Sequence, residues 1–452
     1  MAARKIGMLS LGCAKNLVDA EIMLGGARAS GFDITADPSE ADILVVNTCG
    51  FIDSAKQESV DAILESHRLR VRPGQKLVVS GCLAQRFSKE LKQSLPEVDA
   101  FIGLDQVAGA GEIFRRILDE DHGVLSLVTP NSRYIPDYST PRFRLTPRHT
   151  AYVKIAEGCN HPCSFCVIPQ LRGRHRSRTV DSVVREIRRL LADGVKEINL
   201  ISQDTTYFGM DLWKQKAGPR QPVDSARGTS LVHLLDAITK IRGDFWVRLL
   251  YTHPAHWSDE LIAAMARNPK VVRYVDMPLQ HIHPDMLKAM RRETSRGHIE
   301  DLIARLRAGL PGLGLRTTFI VGFPGETEEH FGALLEFIAS ARFERLGVFN
   351  YSQEDGSRAA KMDAQVPARV KNRRHREAMK LQQKIARETA AAMTGRTIRV
   401  LVEQPNIGRT AHDAPEVDGR VILTDPCKPG TFVQARVIGS QVYDLVARPE
   451  EE

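Results

Sequence analysis

Apolar runs of strand length alternate with amphipathic stretches along most of the chain. In the first 130 residues three such runs, beginning at Ile6, Ile43 and Leu77, each end beside a cysteine. Helical patterns fill the intervals at residues 19–30 and 53–68, and the cysteines are separated by 36 and 33 residues. Since a βαβ unit occupies about 30 residues or more, this repeat predicts a parallel α/β domain whose strand ends meet at one edge.

A second series of six strand-helix repeats follows. Its strands are predicted at residues 151–156, 197–202, 245–251, 271–279, 315–322 and 346–352. Its helices are predicted at residues 179–193, 230–241, 258–267, 285–292, 296–308 and 327–341. Six such units predict an open, TIM-like partial (β/α)6 barrel, whose chemistry belongs at the C-terminal strand ends.

The last part of the chain shows two further patterns. Residues 369–387 carry eight basic residues and one acidic residue, which is typical of a solvated connecting helix or of a polyanion contact. Alternating runs at 396–403, 419–423, 431–438 and 441–447 predict a small antiparallel β-barrel. The fold class is therefore α/β with a C-terminal barrel. The predicted parts are residues 1–128, a proline-rich linker at 129–144, the partial barrel at 145–365, a helix at 366–390 and the small barrel at 391–452.

Three cysteines stand close together directly after the first barrel strand. Cys159, Cys163 and Cys166 follow a Cys-x3-Cys-x2-Cys spacing. Three thiolates from one short loop suit an iron-sulfur cluster in which one iron lacks a protein ligand and is open to a small molecule. A structural zinc ion is the less favoured alternative, because its fourth ligand would have to be His161 or His175, neither at finger spacing.

The N-terminal cysteines form a second triplet. Cys13, Cys49 and Cys82 occupy corresponding positions at the ends of three strands, each beside a glycine. One buried thiol would be ordinary in a core, but three in register favour a second cluster site. Seven cysteines in 452 residues do not make a disulfide framework, and we interpret Cys427, in a predicted turn, as incidental.

Polar residues and glycines follow the other barrel strands. They are Gln203 after the second strand, His253 after the third, Gln280 and His281 after the fourth, and Gly322, Gly325 and Glu326 after the fifth. Glycine lets backbone approach a nucleoside or amino acid closely. Taken alone, the glycine segment is equally typical of a strand-to-helix turn with Thr327 as N-cap. We interpret His253, His281 and His283 as structural or substrate-contacting residues rather than as catalytic bases.

Composition and charge limit the expected cellular location and the expected binding partners. No apolar run approaches the roughly 18 residues of a membrane span, and no signal peptide precedes the first strand, which predicts a cytoplasmic protein. The chain has a net charge of +8, but from Thr394 onward seven basic residues face nine acidic ones, a net charge of −2. An acidic barrel suits a basic protein partner better than RNA, whose phosphates demand cations.

The cysteine loop, with Phe165 before its last cysteine, resembles the signature of the radical S-adenosylmethionine (SAM) superfamily. The three parts together resemble its methylthiotransferase branch, which ends in a TRAM barrel. The resemblance implies that Cys13, Cys49 and Cys82 hold an auxiliary 4Fe-4S cluster, and that Cys159, Cys163 and Cys166 hold the 4Fe-4S cluster that binds SAM. It further implies cofactor contacts at Phe165, Gln203, Gly322, Gly325 and Glu326. It identifies no catalytic residue beyond the cluster ligands.

Within this branch, residues 10–21, reading SLGCAKNLVDAE, resemble the members that modify an aspartate in the twelfth protein of the small ribosomal subunit. Residues 201–206 and 251–254 are also similar to theirs, although Ala14 stands where many have proline. The implied activity is methylthiolation of the aspartate β-carbon, with two SAM molecules and an electron donor such as flavodoxin or ferredoxin. An rRNA contact is a further expectation. The alternatives are methylthiolation of isopentenyladenosine in tRNA and a non-catalytic metal-bearing RNA-binding module.

Overall fold

The computed structural model describes residues 3–120, 123–130 and 132–450, and it divides into two units. The first unit comprises Met1–Leu145 together with Glu157–Cys159 and Cys166–Arg176. The second comprises Thr146–Ala156, Asn160–Phe165 and Ser177–Glu452. Of the acidic residues counted above, Glu451 and Glu452 lie outside the described residues.

A six-stranded parallel sheet forms the first unit in the order β2-β1-β3-β4-β5-β6. Its strands are β1 (Lys5–Ser10), β2 (Asp33–Thr35), β3 (Ile43–Thr48), β4 (Lys76–Gly81), β5 (Ala100–Ile102) and β6 (Leu125–Leu127). Its helices are α1 (Ala14–Ala29), α2 (Asp53–Arg68), α3 (Cys82–Ser94) and α4 (Ala110–Asp119). The three predicted strands, β1, β3 and β4, are direct neighbours. The short strands β2, β5 and β6 were not predicted, because three residues carry no readable period.

The second unit contains all six predicted barrel strands, parallel and in chain order across the sheet. Between β7 (Thr150–Lys154) and α6 (Val180–Ala192) the chain carries β8 (Ala156–Glu157), the cysteine loop, α5 (Ile168–Arg172) and β9 (Arg176–Ser177). The remaining strands are β10 (Glu197–Ile201), β11 (Trp246–Leu249), β12 (Val271–Asp276), β13 (Gly314–Val321) and β14 (Arg345–Asn350). The remaining helices are α7 (Leu231–Thr239), α8 (Asp259–Arg267), α9 (Pro284–Ala289), α10 (Arg296–Gly309) and α11 (Glu328–Ala341).

A long helix and a small closed barrel complete this unit. The helix is α12 (Ala368–Ala391), and its Ala378 and Ile385 join the hydrophobic core of the partial barrel. The closed barrel consists of β15 (Thr397–Gln404), β16 (Ile407–Thr410), β17 (Val421–Leu423), β18 (Phe432–Gln441) and β19 (Asp444–Pro449). Four of its strand pairs are antiparallel and the β17–β19 pair is parallel. The sequence missed β16, since its four residues do not alternate.

The segment that links β16 to β17 lies against the N-terminal ends of the partial barrel's strands. Asp413 pairs with Arg345, the first residue of β14. Asp418 accepts a hydrogen bond from the Tyr274 hydroxyl (2.6 Å) and lies 3.4 Å from the Nε of Arg316. The backbone carbonyl of Ala411 accepts from Arg248 at 2.8 Å. We call residues 411–418 the docking loop.

This arrangement changes the meaning of the acidic C-terminal composition. Besides the docking loop acids, Glu403 pairs with Arg409 at 2.8 Å, and Arg409 in turn pairs with Glu197 of β10. Acids that had been assigned to a basic partner are therefore engaged inside the unit. The net charge counted from the sequence does not give the charge of the protein surface, because the count includes residues that are buried in ion pairs.

Candidate active site

The N-terminal cysteines lie at the C-terminal ends of three adjacent parallel strands. Cys13 is the N-cap of α1, Cys49 directly follows β3, and Cys82 opens α3. Adjacent strands are about 4.8 Å apart, so the register of the sheet brings turns together that are far apart in sequence. Helix N-termini beside two of the cysteines favour the thiolate form that a metal requires.

Two glycines let these turns touch. A Cβ on Gly12, whose φ is +91°, would lie 2.9 Å from the Cβ of Cys49. A Cβ on Gly50 would lie 2.8 Å from the Cα of Leu83 and 2.9 Å from the carbonyl carbon of Cys82. Any side chain at either position would push the cysteine turns apart, so the glycines beside the cysteines serve their convergence.

The three thiols differ in exposure and influence one another. Cys13 is exposed, Cys49 is partly buried and Cys82 is buried. Burial, together with the neighbouring Cys82 and Cys13, raises the pKa of Cys49 to about 11. Burial also raises the pKa of Cys82, although Arg172 opposes it. Since a ligated thiol is deprotonated, metal binding at this site must release protons.

The loop triplet is held by hydrogen bonds on either side. In the first unit the amide of Cys159 donates to the Gly173 carbonyl at 3.1 Å, and the Ile168 amide donates to the Cys166 Sγ at 3.4 Å. In the second unit the Arg292 Nη1 donates to the Cys163 Sγ at 3.5 Å. Local backbone and one arginine therefore fix the conformation of these cysteines.

A buried polar network anchors the middle of the same loop. His161 contacts the Asp204 carboxylate through Nε2 and the Glu293 carboxylate through Nδ1, both at 2.7 Å, and stacks on His253 with ring centroids 3.8 Å apart. Burial alone would lower the pKa of His161, but the hydrogen bonds to Asp204 and Glu293 raise it to about 9. His256 also reaches Asp204, at 3.2 Å.

These contacts bear on the zinc alternative. Both ring nitrogens of His161 are held by carboxylates, so neither is available as a fourth ligand without breaking this network. His175, the other candidate, is buried in the first unit. The donor set that remains in the loop is three thiols, which is chemically suited to an iron-sulfur cluster with one open iron.

The C-terminal ends of the barrel strands carry orphaned polar atoms. Among the described residues the Nε2 of His253 and the Oε1 of Gln280 are buried and accept or donate no hydrogen bond. Gln280 and Tyr251 also have positive φ angles, +74° and +62°, which is rare for residues with side chains. Orphaned groups and strained backbone at this edge fit a polar ligand such as SAM.

The predicted cofactor residues have different surroundings. Phe165 packs on Met286 and Met290 beside the loop, and Gln203 is half-buried after β10. Gly325 has a φ of +80°, and no atom lies within 4 Å of where its Cβ would be, so this segment leaves room for a ligand. These three positions stay predictions.

Glu326 and Gly322 are engaged with α12. The Glu326 carboxylate is fully buried, pairs with Arg374 of α12 at 2.7 Å and accepts from the Gly322 amide. A Cβ on Gly322 would run into the side chain of Lys371. Both residues therefore join the turn after β13 to α12, and the cofactor contacts predicted for them also stay predictions. Their burial depends on α12, which sequence spacing could not connect to this turn.

The sequence analysis did not single out two arginines and one histidine of this region. Arg172, Arg292 and His256 each contact a cysteine, or a residue of the loop network. Arg172 lies in a strongly basic run, and nothing in its spacing marks it as buried. His253 was noted in the sequence, but only the fold shows that His256 also reaches the loop.

Comparisons with known proteins agree with this arrangement. Residues 5–103 match an uncharacterized protein family, UPF0004, residues 153–338 match the radical SAM superfamily, and residues 394–449 match the TRAM domain. A radical SAM methyltransferase from Kitasatospora setae, TsrM, has a similar fold, with a TM-score of 0.53 at 16% identity over 76% of this chain and 73% of that chain.

Full-length relatives are much more similar. The ribosomal protein uS12 methylthiotransferase RimO of Opitutus terrae is 58% identical over 98% of this chain and 96% of its own length. The RimO of Akkermansia muciniphila is 53% identical over 98% and 99%. Identity of this degree across all three matched regions leads to one conclusion. The chain belongs to the RimO family of radical SAM methylthiotransferases.

Proposed function

We propose that this protein transfers a methylthio group to the β-carbon of an aspartate in the twelfth protein of the small ribosomal subunit. Relatives named uS12 methylthiotransferases, aligned over 98% of the chain, support this substrate. The observation that carries the proposal is the contact between the turns of Cys13, Cys49 and Cys82, in a chain that also has the Cys159–Cys166 loop. One triplet alone would suit an ordinary radical SAM enzyme.

The residues would divide the work between two sites. Cys13, Cys49 and Cys82 would hold the auxiliary 4Fe-4S cluster, and Cys159, Cys163 and Cys166 the cluster that chelates SAM. What the bound cofactors supply is an electron for the cleavage of SAM, a radical that abstracts hydrogen, and a place for the sulfur. The chain positions Cys163 through Arg292, and it holds the loop through His161, whose two carboxylate partners fix its ring.

Ribosomal protein and tRNA remain experimentally separable substrates. A strain lacking the gene should lose the methylthio group from its ribosomal protein and keep every methylthiolated tRNA nucleoside, as measured by mass spectrometry of both fractions. Complementation with the intact chain should restore the modification, and complementation with Cys13, Cys49 and Cys82 replaced by alanine should not. Loss from the tRNA nucleosides alone would transfer the assignment to the tRNA alternative.

An rRNA contact on α12 would make the assembled small subunit the preferred substrate form. Arg369, Arg376, Lys380, Lys384 and Arg387 are exposed and, among the described residues, form no ion pair. Their separations of 7, 4, 4 and 3 residues place them on one face of α12, opposite buried Ala378 and Ile385. This stripe is about 27 Å long, and a row of unpaired cations is what a phosphate backbone recruits.

Salt titration tests this contact. With all five residues changed to glutamine, the slope of log affinity against log salt for small subunits should fall in magnitude by about 3.5 to 4.5, since each lost phosphate contact removes about 0.7 to 0.9. A matched control changes five exposed basic residues elsewhere, Arg188, Arg189, Lys214, Lys216 and Lys240. Equal slopes for the two variants, or an equal loss of binding to the free ribosomal protein, would refute the rRNA contact.

Electron supply and location follow from the same proposal. A flavodoxin or ferredoxin is the expected class of donor, because cleavage of SAM requires a low-potential electron. No helix in the part of the chain that the structure describes combines the length and apolar composition needed to cross a bilayer. A ribosomal substrate favours the cytoplasm.

A further inference from the structure

Arg172, the last residue of α5, directs its guanidinium at the auxiliary cysteines within the first unit. Its side chain is only 3% exposed. The Nη2 atom lies 3.3 Å from the Cys82 Sγ and 3.0 Å from the Asp19 Oδ2, while Nη1 donates to both oxygens of Glu157 at 3.1 and 3.2 Å. A guanidinium presents its donors in a fixed plane, so the two carboxylates determine where the remaining N–H points.

On the side of Cys82 the surroundings of this hydrogen bond are apolar. Cys82 forms a small buried cluster with Val167 and Leu171, and Phe51 packs against it. Hydrogen bonds in such low-dielectric surroundings are stronger electrostatically than those in water. Val167 and Leu171 belong to the same short segment as Arg172, which begins directly after Cys166. This segment therefore both covers Cys82 and supplies the hydrogen-bond donor to its sulfur.

A purely structural role would be the neutralisation of Asp19 and Glu157. That role does not explain why Nη2 donates to the Cys82 sulfur as well as to Asp19. The sulfur of a neutral thiol is a weak hydrogen-bond acceptor, so its contact with a cation contributes little stability. A thiolate sulfur is different, since charge-assisted hydrogen bonds are about twice as strong as neutral ones. The contact with Arg172 thus favours the deprotonated, metal-ligating state of Cys82 against the opposing effect of burial.

We propose that Arg172 is a positioning residue that hydrogen-bonds the Cys82 sulfur when this sulfur ligates iron, and thereby raises the reduction potential of the auxiliary cluster. The proposal rests on the proposed assignment of Cys13, Cys49 and Cys82 as ligands. Hydrogen bonds to the sulfurs and local charge are principal determinants of cluster potential, because they stabilise the more negative, reduced state.

The test isolates the auxiliary cluster in the full chain by replacing Cys159, Cys163 and Cys166 with alanine. Arg172→Met and Arg172→Lys are introduced into this background, and the midpoint potential is measured by redox titration followed by electron paramagnetic resonance, with iron content alongside. We expect at least a tenfold decrease in the equilibrium constant for one-electron reduction in Arg172→Met, which corresponds to 59 mV toward more negative potential. Arg172→Lys keeps the positive charge but lacks the planar guanidinium, so its midpoint potential should shift less.

A matched control is Arg178→Met. Arg178 is equally buried and pairs with Glu186, but among the described residues it forms no hydrogen bond with a thiol, so its loss should leave the potential unchanged. Unchanged potentials in both Arg172 variants with full iron would overturn the proposal. If Arg172→Met takes up no iron, the potential of Arg172→Lys is the test. A potential equal to that of the protein with Arg172 would then overturn the proposal. A background protein that holds no iron would instead refute the ligand assignment itself.

Discussion

The two cysteine triplets are assembled in different ways. Cys159, Cys163 and Cys166 come from one loop, and their spacing in the chain already limits how far apart they lie. Cys13, Cys49 and Cys82 come from three turns, and only the register of β1, β3 and β4 brings them together. The first site depends on local backbone and the second on the whole sheet.

This difference predicts where each site is vulnerable. A local triplet should tolerate distant changes but not an altered loop. A triplet assembled by a sheet should respond to any substitution that separates the turns.

Replacing Cys159, Cys163 and Cys166 by alanine should abolish SAM cleavage and halve the iron content. Two 4Fe-4S clusters correspond to about eight iron atoms per chain, so about four should remain. Iron analysis after anaerobic reconstitution, with quantification of 5'-deoxyadenosine, measures both effects. Retained cleavage would show that the radical does not originate at this loop.

Replacing Cys13, Cys49 and Cys82 by alanine should separate the two activities. The variant should still cleave SAM, since the loop cysteines are unchanged, but should form no methylthiolated product. Product is measured by mass spectrometry of a peptide or protein substrate, and 5'-deoxyadenosine in the same reaction is the internal control. Methylthiolated product from this variant would mean that the sulfur comes from elsewhere.

Gly12→Ala should damage the sheet-assembled site alone. Its φ of +91° is unfavourable for alanine by about 1 to 2 kcal/mol, and the new methyl would lie 2.9 Å from the Cβ of Cys49. We expect a marked loss of auxiliary iron with unchanged SAM cleavage. Gly109→Ala is the matched control, because it has open space around it. Equal iron in both variants would contradict convergence through Gly12.

Cys427→Ser should have the smallest effect. Cys427 lies in a turn of the C-terminal barrel, partly buried against its core, and its Sγ donates a hydrogen bond to the Asp425 carbonyl at 3.6 Å. Iron content and product formation should be unchanged, and unfolding should shift by less than about 1 kcal/mol. A loss of iron would give the seventh cysteine a role that neither triplet predicts.

Periodicity predicted the elements better than their contacts. The six barrel strands and their helices follow from apolar patterns, because those elements are long enough to show a period, and α12 follows from the basic composition of residues 369–387. The predicted cysteine ligands follow from spacing and from the expected alignment of the strand ends. The burial of Glu326 and of Arg172 could not be predicted in this way. Whether a charged residue is buried depends on partners such as Arg374 or Asp19, which lie 48 and 153 residues away.

The docking loop has a consequence for shortened versions of the enzyme. Truncation after α12 would remove Asp413 and Asp418, leaving Arg345 without that partner and Tyr274 without its acceptor at the base of the partial barrel. These contacts are buried in the full chain, where the side chains of Arg345 and Asp413 are 13% and 3% exposed, so truncation would exchange them for contacts with water. The C-terminal barrel is thus part of the packing of the partial barrel, and a fragment that ends at α12 should be less stable than the full chain.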